Sequence, residues 1–163
     1  MVMGTREMSR RRGAISVAAV ALLGLGACSD DDGEGSTGAA GGEAGTVDVT
    51  LQEFAVIPSS SSAPAGDVTF NVTNEGPDDV HEFVVFRSDL APDALPTAED
   101  GSVDEAGEGV ELQDEIEDVA VGDTQSVTID LAAGDYVLIC NIYDAEEQEA
   151  HYQEGMRVGF TVE

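Results

Sequence analysis

Apolar and polar residues alternate one for one through several short runs of this 163-residue chain, and turn residues stop each run early. Val47, Val49 and Leu51 make one such run, and Val68, Phe70 and Val72 make another. Thr124 to Leu131 repeats the pattern with Val127, Ile129 and Leu131 inward, and Arg157 to Val162 repeats it at the end of the sequence. A period of two puts every second side chain on one face, so each run reads as a half-buried strand. His81 to Phe86 and Tyr136 to Cys140 are instead continuously apolar, as expected of strands covered on both faces. Breaks fall at Ser59–Ser62 between Pro58 and Pro64, at Asn74–Pro77 and at Ala132–Asp135, all rich in turn formers. About seven or eight short strands with no long helical period specify an all-β sandwich.

Between Arg87 and Val119 the alternation fails. Asp89 to Pro96 is compatible with one helical turn, and Thr97 to Gly109 is acidic and glycine-rich, so it is expected to form a solvated excursion. A brief edge strand is expected at Glu115 to Val119. Asp144 followed by Glu147 has the form of a capping box and Gly155 that of a helix stop, which predicts a short helix from about Ala145 to Glu154.

The first segment reads as an export signal. Arg10, Arg11 and Arg12 precede a small-residue apolar stretch, Gly13 to Ala27, shorter than the roughly 20 residues a membrane span needs. Leu25-Gly26-Ala27-Cys28 then matches a bacterial lipobox, which makes Cys28 the expected lipidation site and new N-terminus. Ser29 to Gly45 has no large apolar side chain and reads as a flexible acidic tether. The expected organisation is therefore a signal peptide over 1–28, a tether over 29–45 and one folded domain over 46–163. The expected location is outside the cytoplasm, on the cell membrane, held by the lipid.

Formal charge is −28, with 34 acidic residues against 6 arginines and no lysine. Only Arg87 and Arg157 follow Cys28. Such a surface repels phosphate backbones and anionic headgroups, which argues against nucleic-acid partners and against electrostatic membrane binding. It attracts a basic protein partner. A general acidic bias of the source proteome would produce the same surface.

The chemistry-bearing residues are few: two histidines and two cysteines. With Cys28 consumed by lipid, Cys140 is an unpaired thiol in an oxidising compartment, which calls for a reason. Cys140 ends an apolar strand, His151 and Met156 follow it, and His81 opens a strand elsewhere. Two imidazoles, a thiolate and a thioether are the donor set of a blue-copper site, with methionine as the weak axial ligand. Two histidines are too few for a type 2 or trinuclear copper centre beside it, so oxidase chemistry and enzymatic activity in general are not expected.

Asp79 to Phe86, Gly134 to Ile142 and His151 to Met156 resemble the ligand segments of cupredoxins, in particular the plastocyanin/azurin and sulfocyanin-like groups. The resemblance covers roughly Thr46 to Glu163 and implies a Greek-key β-sandwich with one type 1 copper. By that resemblance His81, Cys140 and His151 are the equatorial ligands and Met156 the axial one. The stretch Asn141 to Ala150, between Cys140 and His151, is longer than the family's usual turn. Closing the longer loop costs only about 1 to 1.5 kcal/mol, so copper binding survives it. It also replaces a normally apolar rim beside the second histidine with an acidic one. Asn74 and Asn141 are candidate groups for holding the ligands. The implied function is one-electron transfer between membrane-associated redox partners, one of them a basic, cytochrome-like protein, by a monomer. Two alternatives use other logic: a copper storage, delivery or sensing module with the same ligands, and a metal-free interaction sandwich.

Overall fold

The computed structural model describes residues 45–163. The expected signal peptide, the lipidation site at Cys28 and the tether lie outside the described residues. Two large sheets form the sandwich, beside one small two-stranded hairpin. The first has the order β2-β1-β4-β7, with β1 (Gly45–Gln52), β2 (Ala55–Pro58), β4 (Gly66–Asn74) and β7 (Thr124–Leu131). The second has the order β3-β11-β8-β5-β6, with β3 (Ser62–Ala63), β5 (His81–Arg87), β6 (Glu111–Val119), β8 (Gly134–Ile139) and β11 (Arg157–Val162). Pairing is mixed: β1 runs parallel to β4 and β3 parallel to β11, while the other neighbours are antiparallel.

The alternating runs face inward as their period requires. Val47, Val49, Leu51, Val68, Phe70 and Val72 from the first sheet meet Phe83, Val85, Tyr136, Leu138, Phe160 and Val162 from the second in one core. Phe70 lies between the layers, its ring centroid 5.3 Å from Phe83 and 5.6 Å from Phe160. Tilted and edge-on aromatic contacts of this kind add about 0.5–1.5 kcal/mol each beyond simple burial.

The two continuously apolar strands are explained by a second, smaller core. Val84 and Phe86 of β5 and Val137 and Ile139 of β8 point away from the main core and pack with Leu95, Val103 and Tyr152. Part of the cover comes from the segment between β5 and β6, so the solvated excursion expected over Thr97 to Gly109 holds for most of its residues and is corrected at Val103, which is buried. Val103 and Leu95 are 3% and 5% exposed, and a Thr97–Val103 bridge closes the loop on itself. Scattered single apolar residues in an acidic stretch carry no periodicity, which is why the sequence pattern hides this packing. Asp89 to Pro96 forms a turn rather than a helix, with the Ala94 N–H donating to Ala91 O at 2.9 Å. The edge strand β6 is longer than expected, starting at Glu111, and its acidic side chains guard the sheet edge against further pairing.

The predicted helix over Ala145–Glu154 is also corrected. Its first half is a hairpin, β9 (Tyr143–Asp144) against β10 (Glu149–Ala150), and only α1 (His151–Glu154) is helical. No helix starts at Asp144: its Oδ1 accepts the N–H groups of Glu146 and Glu147 at 2.7 and 3.1 Å, but within the hairpin turn. Gln148 then takes a positive φ of 58° and turns the chain back. A helix of ten residues is about 15 Å long and would carry its far end away from Cys140. The hairpin instead places Ala150 opposite Tyr143, and the His151 N–H bonds Ile142 O at 3.0 Å. The helix stop is where expected. Gly155, at φ 127°, closes α1, and a side chain there would meet Phe54 O at 3.2 Å.

Candidate metal centre

Three segments converge at one end of the second sheet. His81 is the first residue of β5, Cys140 follows directly on β8, and His151 begins α1. Met156 lies between α1 and β11, and its carbonyl accepts the Cys140 N–H at 3.0 Å. Strand pairing brings these segments together: β8 is bonded to β5 on one side and to β11 on the other. The site is dry. His81, Cys140 and Met156 are 0% exposed and His151 is 2% exposed.

The ligand atoms face one another. His81 Nδ1 and His151 Nδ1 are 3.2 Å apart, and Cys140 Sγ lies 3.4 Å from His151 Nδ1 and 3.9 Å from His81 Nδ1. A triangle with these sides has a point in its plane about 2.0 Å from all three corners. Bonds from a first-row metal such as zinc are about 2.0–2.1 Å to imidazole and about 2.3 Å to thiolate. The triangle therefore fits one metal ion without rearrangement of the ring nitrogens or the sulfur. A trigonal His₂Cys set with a buried thioether in the neighbouring chain segment is the donor arrangement of type 1 copper rather than of four-coordinate structural zinc.

Protonation agrees with a ligand role. Burial pushes His81 below the ordinary histidine range, as does the nearby His151, against the opposing pull of Glu53 and Asp79. His151 is lowered by burial against Asp79, Asp144 and Glu53. Both imidazoles are thus neutral at pH 7 and have a lone pair to offer. Burial raises the Cys140 thiol to about 11, although N–H groups of Glu82 and Ile142 lower it in part. The Glu82 N–H reaches Sγ at 3.3 Å. Loss of this proton to form a thiolate is coupled to metal binding.

Of the residues singled out in the sequence, His81, Cys140 and His151 are brought into one cluster. Met156 is fully buried in the core that also holds Cys140. The side-chain hydrogen bonds of Asn74 and Asn141 go to groups other than the ligand side chains. Asn74 Nδ2 donates to Asp79 O and Val119 O while its Oδ1 accepts the Gly76 N–H, so it fixes the loop leading into His81. Asn141 is bonded to Val103 and Glu105 and ties the long cover segment to the ligand strand. Sequence reasoning missed Glu53 and Phe54, which occupy the turn between β1 and β2. The Phe54 ring stands edge-on to His151 at 5.3 Å, and Glu53 Oε1 lies 3.6 Å from His81 Nε2. Nothing in a tight turn between two strands marks them as neighbours of residues so distant in sequence.

One ligand reaches an open cleft. His151 lines it together with Asp78, Asp79, Asp118 and Asp144, so the expected acidic rim beside the second histidine is present.

The fold and the donor set define a class: a cupredoxin sandwich in which the cluster of His81, Cys140 and His151, with Met156 buried in the same core, suits a single type 1 copper. Among solved structures, reduced auracyanin from Roseiflexus castenholzii aligns at a TM-score of 0.52 and 19% identity, covering 75% of this chain and 99% of that one. Auracyanin B aligns at 0.47 and 22% identity, covering 74% and 89%. An azurin from Methylomonas sp. strain J aligns at 0.47 and 17%, covering 74% and 99%. No protein-family model and no curated protein matches the chain in sequence.

Proposed function

We propose that the protein is a type 1 copper carrier that transfers single electrons outside the cytoplasm. The observation that carries the reading is the buried triangle of His81, Cys140 and His151, with donor atoms 3.2, 3.4 and 3.9 Å apart. When bound, copper supplies reversible one-electron exchange between Cu(I) and Cu(II). The chain's residues do the rest. His81, Cys140 and His151 hold three positions already near bonding radius, so a change of charge demands little movement. Met156 is the axial ligand in this reading. Burial of all four residues excludes water and resists loss of the metal.

Electrons enter at His151, the one ligand on the open cleft, and the four aspartates around it favour a basic partner. The lipid on Cys28 and the segment to Gly45 tether the domain, which visits membrane-bound donor and acceptor in turn. Transfer is preferred over copper delivery because ligands 0–2% exposed are poorly placed for exchange with an acceptor protein. Voltammetry of the copper-loaded protein, followed by incubation with a Cu(I) chelator, separates the two. Reversible one-electron waves with retention of copper support transfer. Rapid surrender of copper to the chelator would establish delivery.

A further inference from the structure

Two buried polar atoms at the site lack hydrogen-bond partners among the described residues, and they belong to side chains in contact. They are His81 Nε2 and Glu53 Oε2. The other oxygen, Glu53 Oε1, lies 3.6 Å from His81 Nε2, with His81 wholly buried and Glu53 12% exposed. Glu53 is held in place. Its Oε1 accepts the N–H of Asp79 at 2.7 Å and of Asp78 at 3.2 Å, in the segment that leads into His81. Asn74 grips the same segment through Asp79 O at 2.7 Å.

A neutral imidazole carries its proton on one nitrogen only. His81 turns Nδ1 toward His151 Nδ1 and Cys140 Sγ. To offer a lone pair there, it must hold its proton on Nε2, and a buried N–H without an acceptor is unfavourable. The carboxylate at hand is Glu53. Ligating histidines generally donate the second ring N–H to such a group, which sets the tautomer and makes the ligand more basic.

We propose that Glu53 is a positioning residue of the metal centre: its carboxylate holds His81 as the Nε2–H tautomer with Nδ1 presented to the metal, and its charge favours Cu(II) over Cu(I). The first half concerns the protein without metal, and the second rests on the copper reading above. A carboxylate differs here from a backbone carbonyl because it places a full negative charge one ring away from the metal. That charge interacts more strongly with the more highly charged ion.

Two variants test this. Glu53→Gln keeps an oxygen for the Asp78 and Asp79 N–H groups and removes only the charge; Glu53→Ala removes the acceptor as well. In metal-free protein at neutral pH, nitrogen–proton correlation spectra across the imidazole ring read the His81 tautomer directly. Wild type is expected as Nε2–H, with Glu53→Ala moving population to Nδ1–H. In copper-loaded protein, Glu53→Gln is expected to weaken Cu(II) binding 10- to 100-fold. Each tenfold loss selective for Cu(II) raises the reduction potential by about 59 mV. A wild-type His81 in the Nδ1–H form would overturn the proposal. So would variants that change neither tautomer nor potential, which would leave Glu53 as a clamp on the 78–79 segment alone. If wild type took up no copper, the copper reading would fall, and the tautomer spectra would still decide for or against Glu53.

Discussion

Glu82 sits between the ligand His81 and the core residue Phe83, and its charge works against the fold. Burial raises its pKa to about 7, well above the ordinary carboxylate range, and Glu115, Glu105 and Glu117 add repulsion, while a bond from the Asn141 N–H opposes them. At about 1.4 kcal/mol per pH unit this rise sets an upper limit of roughly 3 kcal/mol, and water reaching the partly exposed carboxylate screens it to about 1–2 kcal/mol. Because the folded-state pKa lies above the unfolded one, the folded protein holds this proton more tightly. The destabilisation is therefore absent below about pH 4.5, grows between the two values and is complete above about pH 7. Glu82→Gln should consequently raise the unfolding free energy by about 1–2 kcal/mol at pH 8 and by almost nothing at pH 4.5. Urea unfolding of the metal-free protein at pH 4.5, 6 and 8 measures this from midpoints at constant slope. Added salt should shrink the part due to Glu105, Glu115 and Glu117 and leave the burial part. An equal effect at pH 4.5 and pH 8, or a loss at pH 8, would refute the reasoning.

The remaining predictions concern the site and its supports. Met156→Leu should retain copper and raise its reduction potential, as read by voltammetry; loss of copper would remove Met156 from the axial role. Tyr152→Phe deletes the hydroxyl that donates to Pro92 O at 2.8 Å and accepts the buried Leu95 N–H at 3.1 Å. It should cost about 1–3 kcal/mol and speed hydrogen exchange between Ser88 and Val110 more than in β8; uniform exchange rates would contradict the role. Asn74→Ala strips partners from three backbone groups around a fully buried side chain. It should cost at least 2 kcal/mol by urea unfolding, and a neutral result would contradict the bracing role.

The strands were legible because their residues repeat with the period of the backbone. Val68, Phe70 and Val72 announce a half-buried strand wherever they occur, and β4 is that strand. The ligand cluster was legible for another reason: few other side chains could compete for the same chemistry, and each sits at a strand end or in a loop. What stayed hidden depends on contacts between distant segments. Leu95 and Val103 belong to an acidic stretch whose local character is that of solvated loop, yet exposed apolar faces of β5 and β8 draw them in. Asp144 and Glu147 have the spacing of a capping box, yet the Asp144 side chain closes a turn within the hairpin and no helix begins there. Closure of the loop onto Cys140 then decided for a hairpin. Glu53 carries no local signal at all, because its role comes from a turn folded against residues 78–81.

The central claim is that three donor atoms spanning 3.2 to 3.9 Å hold one copper through a thiolate. Its most direct test is the visible absorption spectrum of the metal-free protein titrated with Cu(II), alongside Cys140→Ser. An intense blue or green band that saturates at one copper per chain and vanishes in Cys140→Ser is the predicted result. A colourless wild-type protein, or colour that persists in Cys140→Ser, would contradict the account.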